Sequence, residues 1–279
     1  MTLHRVLETV SRSDAGMVRS HNEDAVYTNP ALGLVILADG MGGYNAGEVA
    51  SGMVTTLLGS ELAKALTQSS SQLIGSCAKD NVRQLIETEI ARANLAVYQA
   101  AQSQPQYAGM GTTLVMAAFH DNTITVAHIG DSRLYRQRGE EFTQITRDHS
   151  LLQEQIDSGL LTPEQARSAQ NKNLVTRAVG VDPSVEAEIH DYPTLPGDIY
   201  LLCSDGLNDM VEDEEIGMSV QMLSANLELA ATQLVQMAND NGGRDNVSVI
   251  LVRVPQEYPV SRGLGSWLTR LLAWFKRAE

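Results

Sequence analysis

Three aspartates stand at the ends of apolar runs. In "LVILADGMGG" (34–43) Asp39 and Gly40 follow a stretch rich in Val, Ile and Leu, and in "IYLLCSDGLND" (199–209) Asp205 and Gly206 follow another. In "GGRDNVSVILV" (242–252) Asp245 comes just before a third. Short apolar runs of this kind read as buried strands, so each carboxylate is delivered to the mouth of a core element. Carboxylates held side by side repel and raise one another's pKa. A bound divalent cation removes that cost. Oxygen-only ligands from Asp and a backbone carbonyl suit Mg²⁺ or Mn²⁺, with water completing the shell. Gly40 would let its carbonyl reach such an ion with no side chain in the way. A single Asp-Gly is more simply a turn, but two of them on buried strands, with "GGRDN", point to a cation site. No Cys/His spacing suits structural zinc.

The segment "GMVRSHNEDA" (16–25) adds Glu23 and Asp24, neighbours of which only one can face a given side of a strand. Arg19, four residues earlier, offers a planar fork for a phosphate, the simpler alternative being a surface ion pair. "HIGDSRLY" (128–135) adds Asp131. An acidic cluster with one arginine beside it suits hydrolysis of a phosphate ester by metal-activated water, with two ions roughly 3.5–4 Å apart.

Positioning such a cluster needs a rigid frame. Residues 46–66 and 78–102 have helical apolar spacing and predict two long helices, the second with Val82, Leu85, Ile86, Ile90, Ala93 and Val97 on one stripe. Residues 111–146 alternate strands and turns, with hairpin loops at His120-Asp121-Asn122 and Arg138-Gly139-Glu140, an antiparallel meander. Residues 147–173 are polar and predict helix, with a start signal at Thr162-Pro163-Glu164. Residues 225–243 predict a helix stopped by glycines. There is no repeat and no alternation of strand and helix, so the expected class is α+β, antiparallel sheets with helices packed outside. Pro255 and Pro259 mark a boundary, giving a catalytic domain over 1–255 and a linker and tail over 256–279.

The chain has 279 residues, 43% of them hydrophobic, enough for a substantial core. A net charge of −14 argues against nucleic acid as a partner, which would call for a basic face. Cys77 and Cys203 sit in apolar surroundings and are expected to be buried and reduced. No secretory signal and no apolar run of membrane-spanning length is present, so the expected location is cytoplasmic.

Taken together and in this order, "GMVRSHNEDA", "LADGMGG", "GMGTT", "HIGDSRLY", "TRDHSL", "TRAVG", "LLCSDGLND" and "GGRDNVSVILV" resemble the metal-dependent serine/threonine protein phosphatases of type 2C in their compact bacterial form, over about residues 8 to 254. The resemblance implies a β-sandwich of two antiparallel sheets flanked by helices, and hydrolysis of phosphoserine and phosphothreonine in proteins. It implies two Mn²⁺ or Mg²⁺ ions, with Asp39 bridging them, the Gly40 carbonyl as a ligand, and Asp205 and Asp245 on one ion. Glu23 and Asp24 match the acidic pair that holds metal directly or through water, and Arg19 the phosphate-binding arginine. Asp131, with Asp205, matches the ligands of a third, weaker ion, and Asp209 an outer acid. Residues 147–173 correspond to a flap beside the site. Some members carry a histidine after the Asp-Gly as general acid; here Met41 stands there and cannot give up a proton. Phosphorylated proteins and a cognate bacterial Ser/Thr kinase are the implied partners of a monomer.

Of the six histidines, His21 is expected to face solvent and His149 to order the flap. The tail holds both tryptophans: Trp267, Leu268, Leu271, Leu272, Trp274 and Phe275 share a helical face, with Arg270, Lys276 and Arg277 around it. Residues 264–277 therefore fit docking on a partner or peripherally on the inner face of a membrane, or packing on the chain's own domain or in a dimer. The sequence leaves open a phosphoprotein scaffold with little turnover, and a hydrolase of small phosphate esters.

Overall fold

In the computed structural model of the protein, residues 7–43, 45–69, 78–162, 165 and 174–258 are described. Two antiparallel sheets pack face to face with helices on both outer surfaces, as expected. One sheet has the order β1-β11-β10-β7-β8, formed by β1 (Glu8–Asp14), β11 (Val247–Arg253), β10 (Ile199–Cys203), β7 (Arg133–Arg138) and β8 (Glu141–Gln144). The other has the order β2-β3-β5-β6-β9, formed by β2 (Asp24–Asn29), β3 (Leu34–Met41), β5 (Leu114–His120), β6 (Thr123–Ile129) and β9 (Glu188–Pro193). The short β4 (Gly111–Thr112) pairs with the end of β3.

The central strands are apolar at nearly every position because both faces are covered. Along β3, Leu34 and Ile36 face α1 (Ala46–Ser69) and α2 (Ala78–Ser103), while Val35 and Leu37 face the opposite sheet. Along β10, Ile199, Leu201 and Cys203 pack under helices, and Tyr200 and Leu202 fill the space between the sheets. Those helices are α5 (Asp213–Met222) and α6 (Leu227–Asp240). The β5–β6 hairpin turns through Asp121 and Asn122, with φ of 45° and 55°, the doubly positive pair that a two-residue turn matching strand twist requires.

Three features differ from expectation. Between 147 and 173, the only helix of more than one residue among the described positions is α3 (Leu151–Asp157), capped by Ser150 accepting the Gln153 amide. Thr162 does form a start signal, its hydroxyl accepting the Gln165 amide and its amide donating back to Gln165 Oε1. Helix α5 has no counterpart in the sequence reading, although three acids fill its first turn. Asp205 does not lie in a plain turn: it opens a four-residue helix, α4 (Asp205–Asn208). Cys203 is buried and free, its thiol pKa pushed up by burial; Cys77 lies outside the described residues. No helix among the described residues is long and apolar enough to cross a membrane. The packed body runs on to Tyr258, whose hydroxyl bonds Thr194 and the Thr123 carbonyl. Residues 264–277 lie outside the described residues.

Candidate active site

The carboxylates meet at one open end of the space between the sheets. Asp39 has the parity of Val35 and Leu37, so it points inward at the end of β3. Asp24 stands directly opposite in the β2–β3 register. Asp131 follows β6, Asp205 follows β10 and Asp245 precedes β11, all at this same end. The electrostatics bring them together: Asp39 is pushed well above the usual carboxylate range by burial, then by Asp24, Asp205, Asp131 and Asp245 in turn. Asp205 is raised well above it by burial and then by Asp131, Asp209, Asp245 and Asp24. Burial carries Asp24 and Asp131 each up to about 6.

Glu23 and Asp24 both reach the cluster. Glu23 lies before β2 rather than on it, so strand alternation does not separate the two. Its amide donates to Asn246 Oδ1 at 2.7 Å, and its carboxylate sits by the first turn of α1, where a Cβ on Gly47 would come within 2.8 Å of Glu23 Oε1. Burial raises its pKa, opposed first by Arg19. Gly40 is glycine for a reason beyond a free carbonyl: a Cβ there would meet the Gly47 carbonyl oxygen at 2.2 Å, so the close seat of α1 on β3 depends on it. Arg19 pairs with Asp245, Nη2 to Oδ2 at 2.7 Å, and is half exposed. Asp209 closes α4, its amide on the Asp205 carbonyl at 2.8 Å. His21 is exposed, as expected.

Donors around the acids were unassigned in the sequence reading, though they lie inside the motifs. The Asp39 amide donates to Thr113 Oγ1 at 3.0 Å, and that hydroxyl pairs with Ser132 Oγ at 2.7 Å, linking β3 to the turn that carries Asp131. Ser204 Oγ donates to Asp24 Oδ2 at 2.8 Å. Asn246 holds the loop that carries Arg19 and Glu23, donating to the Ala15 and His21 carbonyls at 3.0 and 2.8 Å. Each is a Ser, Thr or Asn beside an acid or its strand partner, a pattern too common to stand out in sequence.

The donor set fits a hard divalent cation. Buried oxygens of Glu23, Asp24 and Asp205 (Oε1, Oδ1 and Oδ1) find no hydrogen-bond partner in the protein, a state that costs free energy unless a cation or water completes it. A cleft of about 240 Å³ opens from this cluster, with Asp131, Asp205 and Asp209 on one side and Ser150, Leu152 and Ile156 of the α3 region on the other. Separately, ligand atoms of His128, His149 and Glu188 lie within 4.8 Å of one another.

The chain is similar to known proteins in sequence and fold. The family described as Protein phosphatase 2C matches residues 17–249. The protein phosphatase PhpP of Streptococcus pneumoniae is 38% identical over 250 residues, 88% of this chain and 96% of that one. The serine/threonine protein phosphatase PstP of Mycobacterium tuberculosis is 38% identical over 249 residues, 89% of this chain but 45% of that one, so the chain spans under half of that relative. A solved structure of the PstP catalytic domain in complex with two manganese ions superposes with a TM-score of 0.75 at 38% identity, over 89% of this chain and 98% of that one.

Proposed function

The chain belongs to the protein phosphatase 2C family, and on that premise we propose that it hydrolyses phosphoserine and phosphothreonine in proteins. The observation that carries this reading is the convergence on Asp39 of four other carboxylates, two of which, Asp24 and Asp205, have unpartnered buried oxygens. Two Mn²⁺ or Mg²⁺ ions would be held by Asp39 and the Gly40 carbonyl, by Asp205 and Asp245, and by Glu23 and Asp24, with a third, weaker ion at Asp131 and Asp205 near Asp209. Bound there, such ions neutralise the acids, activate water and stabilise charge on the phosphoryl oxygens. The remaining work falls to the chain itself. Arg19, half exposed beside the acids, turns its fork from Asp245 to the phosphoryl group. Asn246 and the Thr113–Ser132 pair keep the acids in register. Water adds to phosphorus, the P–O bond to the side chain breaks, and the leaving oxygen takes its proton from water or another donor, since Met41 has none to give.

A phosphorylated side chain of this kind is made by a Ser/Thr kinase, the reaction that this activity would oppose. Tyr258, the last described residue, stands at the end of the sandwich away from the acids, its hydroxyl on the Thr123 carbonyl. We place the chain as a cytoplasmic monomer that docks through residues 264–277 on a partner or on the inner face of a membrane. The test is phosphate release from a phosphothreonine peptide with EDTA, Mg²⁺ or Mn²⁺, set beside release from small phosphate esters. The reading expects metal-dependent release that favours the peptide and is lost in Asp39→Asn. Folded protein that releases nothing with any metal would refute it.

A further inference from the structure

The group of His128, His149, Glu188 and His190 lies outside the carboxylate cluster. His128 and His149 are buried and stacked, ring centroids 4.7 Å apart. Two imidazoles and a carboxylate have the composition of a zinc site, but the hydrogen bonds of His149 are wrong for one. A metal-bound imidazole donates its other N–H to an acceptor. His149 Nδ1 instead accepts the Gly130 amide at 3.2 Å, so its proton sits on Nε2, 3.4 Å from Glu188 Oε2. His128 donates Nε2–H to the Arg147 carbonyl at 2.8 Å.

The backbone of His149 is equally engaged. Its amide donates to the Gly130 carbonyl at 2.9 Å, and its carbonyl accepts the Thr176 amide at 2.8 Å. Ser150 bridges to Val175 alongside. Three residues on, Val179 exchanges hydrogen bonds with Thr112, whose hydroxyl bonds the Asp39 carbonyl at 2.8 Å. His149 therefore ties both backbone groups of Gly130, the residue before Asp131, to the chain at Thr176.

We propose that His149 is a positioning residue for the reaction: held as its Nε2–H tautomer by Glu188, it sets the Gly130–Asp131 turn against the chain at Thr176 and so places Asp131. The inference rests on the phosphatase reading. The charged and titratable groups around the stacked pair are Glu188, His190, Arg177 and Asp148. Burial holds both imidazoles below the usual histidine range, and for His149 the charges of His128 and Arg177 act the same way, against Glu188. A second proton on His149 would have to enter at Nδ1, against the Gly130 N–H, and would break that contact.

Asparagine is the conservative replacement, because its Oδ1 can accept the same N–H; alanine removes the acceptor. The measurement is kcat and KM on a phosphothreonine peptide at saturating Mn²⁺ across about pH 5 to 8, for wild type, His149→Asn, His149→Ala and Glu188→Gln, with thermal unfolding alongside. His149→Ala is expected to lower kcat about tenfold or more with KM little changed. His149→Asn should keep most of kcat and lose the part of the acid limb that belongs to the imidazole. Glu188→Gln should move that limb to lower pH. A wild-type kcat in His149→Ala, or equal losses in His149→Ala and His149→Asn, would overturn the proposal. If the alanine variant does not fold, an acid limb unmoved in both other variants overturns it. So would a Zn²⁺-induced rise in melting temperature that His149→Ala abolishes. A wild type inactive on the peptide removes the phosphatase reading itself; an active wild type with unaffected variants removes only this inference.

Discussion

Strand β10 has an aspartate just before it, Asp198, and another just after it, Asp205, and the fold treats them oppositely. Asp198 is 1% exposed and fully answered. Arg138 forks onto both its oxygens at 2.8 and 2.7 Å, and the Leu195 amide and Tyr200 hydroxyl add 2.8 and 3.0 Å bonds. Asp205 faces Asp131, Asp209, Asp245 and Asp24, and its Oδ1 has no partner in the protein. A buried carboxylate paired with a forked cation is a structural joint. A buried carboxylate packed among other carboxylates is a cost that only a bound cation or protons can offset, and such costs are kept where a site needs them.

The comparison can be broken most sharply by neutralising each end. Asp205→Asn should reduce turnover more than about 100-fold, beyond the usual effect of changing an outer partner of a ligand. It should leave metal-free stability unchanged or raised, because a repelled charge is gone. Asp198→Asn should do the reverse, costing about 3 kcal/mol of stability, at the low end for breaking a buried pair. The folded fraction should keep normal turnover. Denaturant titration and phosphate release on the same two variants check both halves.

Arg19→Ala comes next. Losing a charge-assisted fork to the phosphoryl group should raise KM about 10- to 100-fold, with a smaller change for Arg19→Lys; steady-state kinetics on a phosphopeptide reads it.

The smallest effect is on stability against pH. Asp24 and Asp131 are pushed up to about 6 in the folded chain, chiefly by burial, against about 3.9 for an ordinary aspartate. Between those values the folded chain binds protons that the unfolded chain has released. Stability of the metal-free protein should therefore fall as pH rises through about 4 to 6. Melting temperatures in EDTA should show this fall, and saturating Mn²⁺ should remove it.

Much of the site was legible because its acids sit where apolar runs stop, at Asp39, Asp205 and Asp245. Strands covered on both faces announce themselves by unbroken apolar sequence, so β3, β10 and β11 were plain. The edge strands β1 and β2 are half polar and were not. Helix α5, with its exposed Met218 and Met222, was missed because its buried stripe is only Ile216, Gly217 and Val220. The fastening of His149 to Gly130 and Thr176 joins residues distant in sequence, and its groups besides the imidazole are backbone N–H or C=O, which no side-chain pattern encodes.

The most direct test of the central claim is a calorimetric titration of the metal-free protein with Mn²⁺, on wild type, Asp39→Asn and His149→Ala. The account predicts at least two ions bound by the wild type, a large loss in Asp39→Asn and retention of the two core ions in His149→Ala. Binding that survives Asp39→Asn and vanishes in His149→Ala would contradict it, placing the metal at the histidines rather than among the carboxylates.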